Sequence, residues 1–211
     1  MAQNPGVIAG IDPGLSGAVA LFGAVAGAVI DVADMPVLTL MRGSKAKREV
    51  DGHLLADLLA GAGIAHAYVE NVGAMPGQGV SGVFAFGKAF GTVLGVLAAL
   101  GVPMTLVAPA SWKRALHVPA AKDGARARAS QLMPTAAQHW RLVKHDGRAE
   151  AALIAYYGAT ARPEGMHASG AIRRPLPHVL AQGIDRPSQS VYEAVAPSCA
   201  GARAIGKGSV P

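Results

Sequence analysis

The chain has 211 residues, 51% of them hydrophobic, enough to bury one good core with room for an appendage. Nineteen Lys and Arg against thirteen Asp and Glu leave a formal net charge of +6, which fits a polyanionic partner, most simply nucleic acid. The single cysteine, Cys199, excludes an intrachain disulfide and a cysteine-rich zinc site, and fits a reducing, cytoplasmic setting.

Met1 to Pro5 lacks the basic-then-apolar order of a signal peptide. Val7 to Ile11 is a compact apolar run that reads as a buried strand. Pro13-Gly14 turns the chain, and Ala18 to Phe22 and Ala28 to Val32 complete an antiparallel meander of three. The basic stretch holding Arg42, Lys45, Lys47 and Arg48 reads as a loop. Val50 to Leu59 has helical spacing, with Leu54, Leu55, Leu58 and Leu59 on one face. Ala65 to Glu70 is a fourth strand, and a glycine-rich loop (Gly73, Gly77, Gly79) leads into a long helix from about Ser81 to Leu100.

In that helix Gly87, Gly91 and Gly95 recur every four residues, a spacing that lets another backbone approach closely. Whether that backbone belongs to the same chain or to a second copy stays open. Ala89 to Trp112 carries no charge, but Gly101-Val102-Pro103 breaks the run near its middle, which argues against a membrane span. Its second half reads as a fifth strand, Met104 to Val107. Pro109 to Leu116 and Asp123 to Leu132 read as short helices, and Asp146 to Ala159 as a long one. Strands in a meander, then alternating with helices, indicate an α/β domain over residues 1–160 with a mixed sheet. Residues 161–211 hold six of the 14 prolines without apolar periodicity, and read as a disordered basic tail.

Carboxylates are scarce, and four stand at the ends of apolar elements: Asp12 and Glu70 close strands, and Asp146 and Glu150 open the last helix. Four apart, that last pair shares a helix face, where the N-terminal dipole and a bound cation offset their repulsion. Carboxylates suit hard divalent cations, and two such ions clamp the attacking and leaving oxygens of a phosphoryl displacement. Taken singly each acid has an ordinary reading: Asp12 as a turn former, Glu70 as a surface acid, Asp146 as a helix cap. Their joint placement is the stronger signal. Around the last pair lie Lys113, Arg114, Lys122, Arg126, Arg128, Arg141, Lys144 and Arg148, a surface suited to phosphate neutralisation.

The segments Gly10-Ile11-Asp12-Pro13-Gly14-Leu15-Ser16-Gly17-Ala18, Tyr68-Val69-Glu70-Asn71-Val72, Phe86 to Gly91, Pro109-Ala110-Ser111-Trp112-Lys113 and His145 to Ala155 resemble RuvC-type Holliday junction resolvases of the RNase H-like superfamily, in a bacteriophage-like version. The resemblance runs from about Val7 to Gly158 and implies a five-stranded mixed sheet flanked by helices. It also implies a homodimer acting on four-way branched DNA, with two Mg²⁺ ions (Mn²⁺ substituting) held by Asp12, Glu70, Asp146 and Glu150. The same resemblance places Lys113 and Lys122 at basic positions that contact substrate. Two departures stand out. Cellular members space the two helical acids three apart and use aspartate twice, whereas Asp146 and Glu150 are four apart, with His145 as a neighbouring supplement. The loop after Glu70 also lacks the family's aromatic wedge, leaving Met75 as an apolar substitute. Rival readings are a broader flap or debranching nuclease, a non-catalytic DNA-binding protein on the same fold, and a sugar-kinase-like ATPase, for which the chain lacks a second phosphate hairpin.

Overall fold

Alternation along the strands decides the layering. In β1 (Val7–Asp12), Ala9 and Ile11 point to one side and Gly10 to the other. In β2 (Ala18–Gly23), Ala18, Ala20 and Phe22 join the second side, while Val19 and Leu21 join the first. A period of two with both faces apolar requires cover on both faces, and the helices supply it. The structure is a computed structural model describing residues 6–71, 73, 77 and 79–160. Met75 and the expected tail at 161–211 lie outside the described residues.

β3 (Ala28–Asp34) pairs antiparallel with β2, and β2 with β1. β6 (Ile64–Glu70) lies parallel beside β1, and β7 (Met104–Val107) parallel beside β6. The order is therefore β3-β2-β1-β6-β7, the five-stranded mixed sheet flanked by helices that was expected. One face is covered by α1 (Gly52–Ala60) and α2 (Val80–Ala99), through Leu55, Leu59, Ala89, Val93 and Leu97. The other is covered by α3 (Pro109–Ala115), α4 (Gly124–Leu132), α5 (Asp146–Thr160) and a 3-10 helix at Pro134–Trp140. Trp112 and Trp140 are the largest side chains fully buried on that side.

Two expectations are corrected. The basic stretch expected as a loop forms a hairpin of β4 (Val37–Arg42) and β5 (Lys45–Val50), a two-stranded sheet of its own. Gly43, with φ of +62°, makes the two-residue turn that closes it. Leu54 does not share the buried face of α1. It is exposed, whereas Leu55 and Leu59 are buried and Leu58 is half-buried, and Asp51 caps the helix by accepting the amides of His53 and Leu54. By length and composition α2 could cross a membrane, yet it packs one face on the sheet and leaves the face of Gly87, Gly91 and Gly95 with nothing among the described residues within 4 Å of an added Cβ.

Candidate active site

β1 and β6 run parallel with Ile11 beside Val69, so their carboxyl ends bring Asp12 and Glu70 next to each other at one sheet edge. Two glycines seat α5 on the same edge. A side chain at Gly10 would drive into the Ala151 carbonyl and the Ala155 backbone, so helix and strand approach almost backbone to backbone. At Gly147 an added Cβ would lie 2.5 Å from the Ser16 carbonyl oxygen and 3.2 Å from Asp12 Oδ2. That contact fixes the first turn of α5 against Asp12, and with it Asp146 and Glu150.

Burial and mutual repulsion show in the acids' protonation. Desolvation is the main reason Asp12 rises from 3.8 to about 6; the Gly14 amide and Lys113 pull it down, and Glu150 and Asp146 push it up. Glu70, only 6% exposed, rises from 4.5 to about 7, again chiefly by desolvation, then by Glu150 and Asp12. Trp112 offsets part of this: its buried indole Nε1 donates to Glu70 Oε1 at 3.0 Å. Lys113 Nζ donates to Glu150 Oε1 at 2.7 Å and stands 5.0 Å over the Trp112 ring. Burial lowers the Lys113 pKa, but the bond to Glu150 and the charges of Glu150, Glu70 and Asp146 outweigh it and hold the ammonium above its usual range.

All four expected acids thus share one electrostatic cluster, drawn from β1, β6 and α5, with Lys113 from α3 beside it. Hard oxygen donors of this kind suit Mg²⁺ or Mn²⁺. Asp146 Oδ1 is also buried without a hydrogen bond; its nearest cation, Arg126 Nε, lies 3.7 Å away and is likewise unbonded. The donor set therefore fits a divalent cation in chemistry. In geometry the four are not yet closed around a point: among the described residues no three His, Cys, Asp or Glu side chains are grouped to hold a metal ion. His145 has an unbonded Nδ1, and burial with Arg148 and Lys144 nearby lowers its pKa, which favours the neutral imidazole.

The expected DNA-binding residues divide into two groups. Arg114, Lys122 and Lys144 are exposed. Lys113, Arg126, Arg128 and Arg148 are engaged within the chain. Arg128 donates to the Leu116 carbonyl and Gln131, and Arg148 makes a bidentate pair with Asp34 at 2.5 and 2.7 Å. Trp112, Asp34 and Gly147 were not expected at this site. Trp112 directly precedes Lys113 in the sequence, and that adjacency is the available signal.

No protein-family model and no curated protein sequence matches the chain. Among solved structures, RuvC of Thermus thermophilus is similar at 19% identity, over 72% of this chain and 95% of that one, with a TM-score of 0.44. The T. thermophilus RuvC in complex with a Holliday junction substrate is similar at 17% identity, over 72% and 94%, with a TM-score of 0.46.

Proposed function

We propose that this chain is a structure-selective DNA endonuclease that resolves four-way junctions by paired, divalent-metal-dependent nicks near the branch point. The observation that carries the reading is the meeting of Asp12, Glu70, Asp146 and Glu150 at the sheet edge, two of them pushed up to about 6 and 7 by burial and mutual charge. Acids distant in sequence, assembled at a cost in ionisation, are the arrangement that a bound cation would relieve.

Asp12, Glu70, Asp146 and Glu150 would hold two Mg²⁺ or Mn²⁺ ions, which when bound lower the pKa of water and neutralise charge on the phosphodiester. The chain's own residues supply the rest. Trp112 fixes the Glu70 carboxylate through its indole N–H. Lys113 places a positive charge beside the acids, where negative charge on the reacting phosphate grows. Arg114, Lys122 and Lys144 offer exposed cations to the phosphate backbone. Cleavage leaves a 5′-phosphate and a 3′-hydroxyl. Paired nicks need two sites, and the open Gly87, Gly91 and Gly95 face of α2, continued by exposed Val80 and Phe84, supports a homodimer through that helix.

The test is a cleavage panel of four-way, three-way, flap and linear duplex DNA in Mg²⁺ and in EDTA. Four-way junctions are cut in Mg²⁺ only, and Asp12→Asn abolishes cutting while sparing junction binding. Wild-type cutting by Asp12→Asn refutes the metal assignment. Flap cutting equal to junction cutting replaces the junction reading with a general branched-DNA nuclease. One observation favours a non-catalytic DNA-binding reading: the Lys113 ammonium bonded to Glu150 already neutralises part of the cluster. Junction binding without cutting in Mg²⁺ or Mn²⁺ selects it.

A further inference from the structure

Residues 37–50 carry four bases, Arg42, Lys45, Lys47 and Arg48, against one acid, Glu49, a local balance of +3. They form the β4–β5 hairpin, which hydrogen-bonds to no strand of the main sheet. Its base lies at the edge where the acids meet. Asp12 pairs with Ala18, Ala18 pairs with Asp34, and only Met35 and Pro36 separate Asp34 from the start of the hairpin. Six residues per strand give an arm of about 20 Å.

An isolated two-stranded hairpin is marginal in water, and this one is braced by α2. Lys88 Nζ donates to Glu49 Oε2 at 2.5 Å, and Lys47 lies 4.0 Å from Glu49 Oε1. Lys47 to Val50 line a small cleft with Ala85, Lys88 and Thr92, so the hairpin runs along the N-terminal half of α2. Lys45 and Arg48 are exposed and make no ion pair with a described residue.

The plain alternative is that lysines protect a sheet edge from pairing with other chains. Their placement argues against it. Both strands of this two-stranded sheet have an unpaired edge, so edge protection calls for charge on each; Val37 to Met41 of β4 carry none, and the cations concentrate on β5, the strand braced by α2. Charge concentrated on a braced arm that starts at the acid edge matches a phosphate backbone better than it matches edge protection.

We propose that the β4–β5 hairpin is a second DNA-contacting surface, which grips the backbone of a duplex arm leading to the acid cluster through Lys45 and Arg48. The proposal rests on the nuclease reading only in taking DNA as the ligand. Its test needs no cleavage: the full chain binds a labelled four-way junction in EDTA across a salt series, as wild type, as Lys45→Ala/Arg48→Ala, and as Lys45→Glu/Arg48→Glu. Far-UV circular dichroism checks that both variants are folded, as expected for exposed positions. Losing two phosphate contacts lowers the slope of log affinity against log salt by about 1.8 for the alanine pair, so its deficit relative to wild type shrinks about tenfold between about 50 and about 200 mM salt. The glutamate pair binds more weakly still. A slope unchanged from wild type overturns the proposal, as does absence of DNA binding by the wild type. Binding with the predicted slope change, but no cutting in Mg²⁺, would sink the nuclease reading and leave the hairpin assignment standing.

Discussion

Glu70→Gln tests whether the acid cluster stores a cost in the metal-free protein. The pKa of Glu70 is raised from 4.5 to about 7, so the folded chain holds a proton there that the unfolded chain releases. Between those two values, rising pH therefore destabilises the folded state. The penalty is small below about 4.5 and complete above about 7. At about 1.4 kcal/mol per unit, the full cost is about 3 kcal/mol at pH 8. Glutamine carries no charge and retains an oxygen to accept the Trp112 indole N–H. In EDTA, Glu70→Gln is expected to be more stable than wild type by about 3 kcal/mol at pH 8, and by less than about 1 kcal/mol at pH 5. Urea unfolding followed by circular dichroism at both pH values measures the gap. Mg²⁺ at pH 8 then stabilises wild type more than the variant, because a cation that binds only the folded cluster adds to its stability. A gap that does not widen with pH, or a variant less stable than wild type at pH 8, refutes the reasoning.

Gly10→Ala forces a methyl into the α5 backbone and is expected to cost about 1–3 kcal/mol in urea unfolding, with a parallel loss of cutting as Asp146 and Glu150 shift; unchanged stability would show that strand and helix are not in close contact. Lys113→Gln removes a charge that lowers the pKa of both Asp12 and Glu70, so the acid limb of the pH–rate profile moves to higher pH, and a limb that stays put removes Lys113 from the cluster. Gly91→Ala meets nothing among the described residues, so it stabilises the monomer by about 0.5–1 kcal/mol in thermal unfolding while weakening self-association in sedimentation. Unimpaired self-association removes this face of α2 from the dimer.

Elements defined by short-range pattern were readable in the sequence. Asp12 and Glu70 each close an apolar run, and those runs became adjacent parallel strands. The hairpin was not readable as such, because Lys45, Lys47 and Arg48 look like a solvated segment while the strand signal lies in Val37 to Met41. Contacts between distant residues left no local trace. Arg148 meets Asp34 across 114 positions, and in a sequence it is one basic residue among eight. Gly10 and Gly147 look like ordinary glycines until α5 is laid on β1, when their missing side chains become the reason the acids meet. The evenly spaced glycines of α2 did announce close approach, but no described element makes it.

The seating of α5 has a consequence for when the protein becomes active during its synthesis. Asp12 and Glu70 leave the ribosome early, while Asp146 and Glu150 arrive on the final described helix, whose buried run Ala151–Ala155 also seals one side of the sheet. A nascent or prematurely terminated polypeptide lacking that helix has two of the four clustered carboxylates and an uncovered apolar face. On the proposed activity, such fragments are inert toward DNA, and the final described helix arms the whole molecule.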